Sequence, residues 1–133
     1  MAACSHVTVS RRGQLNIEKV TVVIDCGHVL NPSQAVSQAQ GSVIYELSHF
    51  LKGGLIVRDG RIITNNFDTF QVARIKDAPP IDVHFALSGG DKWEGLGEPA
   101  SMITPPSVAN AIFFATGKRL RSTPISNEDL SWA

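Results

Sequence analysis

Apolar and polar residues alternate through Val7, Thr8, Val9 and Ser10, and after Arg12-Gly13 a longer alternating run occupies residues 14–25. Two such runs around a glycine turn predict a β-hairpin. Within the second arm the apolar set passes from Leu15 and Ile17 to Val20, Val22 and Ile24. Strand side chains repeat every two residues, so this change of parity predicts a bulge near Glu18-Lys19. The period then lengthens to that of a helix at Val36, Ala39, Val43, Ile44, Leu47, Phe50 and Leu51. With Asn31 as N-cap, Pro32 in the first turn and Gly53-Gly54 as the stop, these residues predict a helix over 32–52.

Leu55-Ile56-Val57 and Ile62-Ile63-Thr64 flank Asp59-Gly60, which predicts a second hairpin. Val83, Phe85 and Leu87 alternate with Asp82, His84 and Ala86 as a half-buried strand. Thr104 as cap, Pro105-Pro106 in the first turn and Gly117 at the end bound a helix over 105–116 that is apolar on almost every side and therefore buried. Beyond residue 118 the chain is expected to be extended, then irregular and frayed through Ala133. The fold class this gives is α+β: hairpins in a mainly antiparallel or mixed sheet, with two helices packed on it, in a single domain over 1–133.

At about 100° per residue, the face of the first helix opposite its apolar stripe carries Gln34, Gln38, Gly41, Ser42, Tyr45 and His49. A face turned to water ordinarily carries charge, and this one has none. It is expected to be covered, by another domain or by a polar cofactor, although each residue also reads as an ordinary solvated one. Over the whole chain twelve basic and twelve acidic residues balance to a formal net charge of zero, which gives no footprint for nucleic acid or for an anionic membrane surface. No apolar run reaches the roughly twenty residues of a membrane span. Cys4 and Cys26 form no CxxC pair and the four histidines no HExxH, so a metal held by protein side chains is not expected. Cys26 and His28 are read as a small buried thiol and a loop histidine rather than as nucleophile and base.

The candidate chemistry lies in Gly95-Leu96-Gly97-Glu98-Pro99. Two glycines allow close approach of the backbone to another group, and Pro99 stiffens the loop that presents Glu98. Burial of that carboxylate by Leu96, Met102 and Ile103 would suit it to a general base. Taken alone, the same five residues also describe a surface turn whose Glu faces water. The letters fit a dinucleotide fingerprint as well, but no apolar strand precedes them, and the prolines are read as barring a helix from starting at the glycines.

The order Asp25-Cys26-Gly27, Asn31-Pro32, Gln38 with Gly41, Asn66-Phe67-Asp68-Thr69-Phe70, Gly95-Leu96-Gly97-Glu98-Pro99, Val108-Ala109-Asn110-Ala111-Ile112 and Ala115-Thr116-Gly117-Lys118-Arg119 resembles the C-terminal part of the molybdenum-binding large subunit of the xanthine oxidase family of hydroxylases. The likeness is to its isoquinoline 1-oxidoreductase beta subunit and bacterial aldehyde dehydrogenase branch. The resemblance implies oxidation of an aldehyde or an electron-poor N-heterocycle with water as the oxygen source. It implies Glu98 as the catalytic base and a molybdopterin-type molybdenum cofactor contacted by Gln38, Gly41 and Gly97, the cytosine dinucleotide form being one candidate. The implied partners are the remainder of the subunit, an iron-sulfur small subunit and the small-molecule substrate, in a cytoplasmic or periplasmic enzyme. Phe67 and Phe70 are expected to be core residues. The sequence departs from the family pattern at Ala100, where many relatives carry Gly, and at Ser101-Met102-Ile103-Thr104, which replaces a proline-richer stretch. The alternative expectation is a non-catalytic folding or assembly domain that docks on a separate cofactor-binding partner.

Overall fold

The computed structural model describes residues 1–132. The predicted hairpin forms as β1 (Ala2–Val9), which starts five residues before the expected Val7, and β2 (Leu15–Ile24), paired antiparallel. His6 faces Lys19 and Val7 faces Ile17, so Glu18 is the extra residue, at the expected bulge. The change of parity keeps Val20, Val22 and Ile24, all fully buried, on the core side. The next two short strands, β3 (Val57–Arg58) and β4 (Arg61–Ile62), form the second hairpin with both turn residues, Asp59 and Gly60, at positive φ. β5 (Ile81–Phe85) starts one residue earlier than the alternation suggests and lies parallel to β2, giving a mixed sheet of order β1-β2-β5. Leu87, expected in that strand, is instead 43% exposed past its end.

Helix α1 (Pro32–Leu51) crosses between the parallel strands. Asn31 caps it by accepting from the Gln34 amide at 3.2 Å, and Gly53 donates back to the His49 carbonyl at 3.0 Å. Ala39, Val43, Leu47 and Phe50 bury the expected stripe. Two assignments on this helix differ from expectation. Ile44 is 38% exposed, whereas Ser42 is buried, and its Oγ has no hydrogen-bond partner among the described residues. The return segment is held to the far half of the helix by the Ala73 amide on Ser48 Oγ at 2.8 Å and by the half-buried Lys52–Asp77 ion pair. That pair, with the Arg74 amide, holds the Asp77 carboxyl below the usual carboxylate range.

Helix α2 runs Pro99–Thr116, six residues earlier than 105–116. Pro99 occupies the first helical position, where its missing N–H costs nothing. Pro105 and Pro106 then lie inside the helix and leave the Ser101 and Met102 carbonyls without their usual donors. An interior proline costs about 3 kcal/mol. The opposing term is a single buried stripe four residues apart, Ala100, Thr104, Val108 and Ile112, which seals the helix onto the core from its first turn. Thr104 satisfies its buried hydroxyl on the Ala100 carbonyl at 2.7 Å. Gly117, at φ 74°, ends the helix as expected.

Two further expectations are corrected. The described tail is packed, not frayed: Ile125 and Leu130 belong to the core, and Trp132 Nε1 donates to the Val9 carbonyl at 2.9 Å. Ala133, included in the expected fraying, lies outside the described residues. Phe67, expected inside, is 88% exposed. The cations after α2 stay local, Lys118 with Asp129, and Arg119 on Asn110 Oδ1 and over the Phe113 ring.

Ile112 joins the α2 stripe to the strand core, so Ile112→Ala is expected to lower unfolding free energy by about 2–5 kcal/mol in urea titrations. Ser42→Ala removes an unsatisfied buried hydroxyl and is expected to act in the opposite sense, raising stability by roughly 1 kcal/mol in the same titration.

Candidate functional site

Parallel pairing makes β2 and β5 end at the same edge of the sheet, with Ile24 opposite Phe85 and the ladder extended by the Ala86 amide on the Ile24 carbonyl at 2.9 Å. The loops after these strands therefore start side by side, and α1 starts from the same edge. The loop after β5 leads to the Gly95-Leu96-Gly97-Glu98-Pro99 turn. Leu96 packs against the core, while Gly97 and Glu98 remain at the surface.

Gln38, two turns into α1, reaches this turn: its Nε2 donates to the Gly97 carbonyl at 3.0 Å. Two residues 59 positions apart, singled out separately in the sequence, thus meet next to Glu98. The second N–H of Gln38 and its Oε1 make no bond among the described residues, leaving one donor and one acceptor free. Gly41, one turn further along α1, faces open space, with nothing within 4 Å of where a Cβ would stand. Tyr45, a further turn on, is 61% exposed on the same face.

Glu98 is the N-cap residue of α2, with φ −122° and ψ 0°, but its carboxylate does not cap the helix. It makes neither a side-chain hydrogen bond nor an ion pair among the described residues, and only its backbone carbonyl is used, by Ser101 N and Oγ at 2.9 and 2.7 Å. The apolar cover expected over Glu98 is not supplied by the described residues. Glu98 is exposed, Met102 is 78% exposed, and Leu96 and Ile103 turn inward to the core. The turn, expected as a proline-stiffened loop, instead runs directly into a helix that begins at Pro99.

Cys26 is buried and its thiol lies 3.4 Å from the backbone carbonyl of His28, so thiol and imidazole do not form a pair. The Asp25 carboxylate accepts from the Ser88 amide, the Ser88 hydroxyl and the Gly27 amide at 3.1, 3.1 and 3.0 Å. The bond from Gly27 two residues on is a turn legible from Asp25-Cys26-Gly27, but the bonds from Ser88, 63 positions away, had no signal in the sequence. No group of three or more His, Cys, Asp or Glu suited to a metal occurs among the described residues. The donors gathered here are one carboxamide, one free carboxylate and glycine backbone. They suit a polar group that brings its own metal ligands and do not suit a bare ion.

The family model described as a molybdopterin cofactor-binding domain matches residues 1–79. A membrane-bound aldehyde dehydrogenase (pyrroloquinoline-quinone) of Gluconacetobacter polyoxogenes is 35% identical over 89% of this chain and 15% of its own length. The isoquinoline 1-oxidoreductase subunit beta of Brevundimonas diminuta is 28% identical over 94% of the chain and 16% of its own length. In fold, the crystal structure of quinoline 2-oxidoreductase from Pseudomonas putida 86 superposes with a TM-score of 0.77 at 20% identity, over 86% of this chain and 16% of that one. The chain belongs to the molybdopterin cofactor-binding domain family, as represented in the molybdenum-binding subunits of xanthine oxidase-type hydroxylases. It spans about 15% of the length of the first of these relatives, and the matched residues 1–79 include Gln38 and Gly41 but stop short of Gly97 and Glu98.

The bonds from Ser88 and then Gly27 hold the Asp25 carboxyl below its ordinary range. A carboxyl depressed in the folded state contributes stability above its unfolded value, and that contribution is lost as pH falls through the folded value. As pH falls through and below the ordinary carboxylate range, the Ser88 amide proton is expected to shift with the Asp25 titration. NMR titration checks this, and in Asp25→Asn the shift should vanish.

Proposed function

We propose that this chain is the C-terminal part of a molybdenum hydroxylase subunit and that it supplies the catalytic base, Glu98, to a substrate bound beside a molybdopterin-type cofactor. The observation that carries the reading is the Gln38–Gly97 hydrogen bond, which brings Gln38 beside the turn that presents Glu98 at the surface. Gln38 and Gly41 are the cofactor-facing residues on α1, Gln38 through its free N–H and carbonyl oxygen, Gly41 by offering no side chain to an approaching ring. Gly97 holds the turn through its carbonyl and likewise adds no bulk. When bound, the cofactor, in its cytosine dinucleotide or plain form, supplies the redox chemistry. The Glu98 carboxylate accepts the proton released from the attacking water, a contribution of roughly 10²–10⁴-fold. Without a partner among the described residues, both of its oxygens are available for this task.

The remaining cover comes from outside this chain. Leu30, Phe67, Ile75 and Phe114 are each 88% exposed or more, an unusual amount of large apolar surface that supports burial against the rest of the subunit. An iron-sulfur subunit as electron acceptor and an aldehyde or N-heterocycle as substrate complete the proposal. The same apolar surface supports a second reading, a non-catalytic assembly domain docking on a separate cofactor-binding partner. In the complete subunit, Glu98→Gln is expected to abolish aldehyde or N-heterocycle oxidation with an artificial electron acceptor. Molybdenum content, measured by inductively coupled plasma mass spectrometry, should stay unchanged. Near-normal turnover in that variant would favour the assembly domain.

A further inference from the structure

The Asp25-Cys26-Gly27 motif takes no direct part in the chemistry above, yet it makes a dense set of long-range contacts. Asp25 Oδ1 accepts from Ser88 N and Ser88 Oγ, each at 3.1 Å. The Gly27 carbonyl accepts from the Gly89 amide at 3.2 Å, and the Cys26 carbonyl from the Glu94 amide at 3.0 Å. His28 Nε2 donates to the Gly90 carbonyl at 2.6 Å, and its ring lies against Trp93 with centroids 4.7 Å apart. Gly27, at φ +75°, lets Lys92 come so close that a Cβ would stand 2.2 Å from the Lys92 carbonyl oxygen. Each residue of the 88–94 segment except Asp91 thus bonds to or touches one four-residue turn.

This segment is otherwise poorly held. Asp91, Lys92, Trp93, Glu94 and Gly95 are exposed, and three glycines, Gly89, Gly90 and Gly95, give it backbone freedom. From Glu94, fastened to Cys26, only Gly95, Leu96 and Gly97 intervene before Glu98. Leu96 packs, partly buried, against the core and Gly97 is held by Gln38. On the other side α2 begins at Pro99. Glu98 is thus placed by three supports: α2 behind it, Gln38 beside it, and the Asp25–His28 turn through the segment that leads into it.

We infer that Asp25 and Gly27 are positioning residues for Glu98, acting by clamping the 88–94 segment to the end of β2. The inference rests on Glu98 being the base. The clamp sets where the carboxylate stands, not whether the cofactor binds. Displacement of a reacting group by about 1 Å costs on the order of 10²-fold in rate.

Asp25→Ala removes the acceptor at an exposed position without opening a cavity, and Gly27→Ala forces Lys92 away. In the 133-residue chain, the NMR amide signals of Gly95, Gly97 and Glu98 are expected to shift in both variants, while those of β1 and α1 stay in place. In the complete subunit, Asp25→Ala is expected to lower kcat by about 10-fold or more, with KM within about 2-fold and molybdenum content unchanged. Asp25→Asn, which keeps one acceptor oxygen, should recover most of that loss. Unmoved Gly97 and Glu98 amides in Asp25→Ala would overturn the inference, as would an unchanged kcat while Glu98→Gln is inactive. If Gly27→Ala fails to fold, Asp25→Ala alone decides. Should Glu98→Gln itself retain turnover, the base assignment fails separately, and the amide shifts still decide whether the clamp exists.

Discussion

The parallel register of β2 against β5 is the constraint from which the arrangement of the site follows. Antiparallel partners would send the two following loops to opposite ends of the sheet. Parallel partners release them at one end, with Ile24 facing Phe85. That end is where ligands gather in sheets of this kind, because adjacent loops and a helix start converge there. Here it receives the Asp25–His28 turn, the start of α1 and the segment leading to Glu98. The pairing is itself supported by α1, whose Gln40 side chain donates to the Ile81 carbonyl at 3.1 Å while Gln38, two residues earlier, reaches Gly97 on the other side.

Helix α2 shows how burial overrides local preference. Three prolines in its first eight residues argue for an irregular stretch, and two of them withdraw backbone donors from the helix. The stripe of Ala100, Thr104, Val108 and Ile112 lies at intervals of four, buried from end to end. Sealing it against β1 and α1 requires the whole segment to be helical from Pro99. The consequence for the site is specific. Glu98 becomes the residue at a helix boundary, with its backbone fixed on the C-terminal side and its side chain left unbonded.

The surface that remains open is as informative as the core. Gln38, Gly41 and Tyr45 are exposed on one face of α1, Gln38 bonds to the residue before Glu98, and large apolar side chains stand in water elsewhere. The chain spans about 15% of that relative's length, and on the proposed reading the rest of the subunit covers this surface. The low local charge around Gln38 and Gly41 is understandable on that basis, since a charged side chain buried against another surface without a partner would be costly.

Much of the local structure was legible in the sequence because its causes are local. The period-two and helical runs gave β1, β2 and α1, the parity change gave the bulge at Glu18, and Asn31, Asp59-Gly60 and Gly117 gave cap, turn and stop. The motif order gave the family, and Gln38, Gly41, Gly97 and Glu98 were named from it. The start of α2, the packing of Ile125 and Leu130, the exposure of Phe67 and the bonds joining Gln38 to Gly97 and Asp25 to Ser88 were not legible. Each depends on which distant segment lies opposite, and a residue's own neighbours carry no information about that. The sequence by itself determined where helical and strand periods run and which side chains were candidates for a site. Only the tertiary structure decided that those side chains meet, because their meeting follows from one non-local strand pairing and from the burial of one stripe against it.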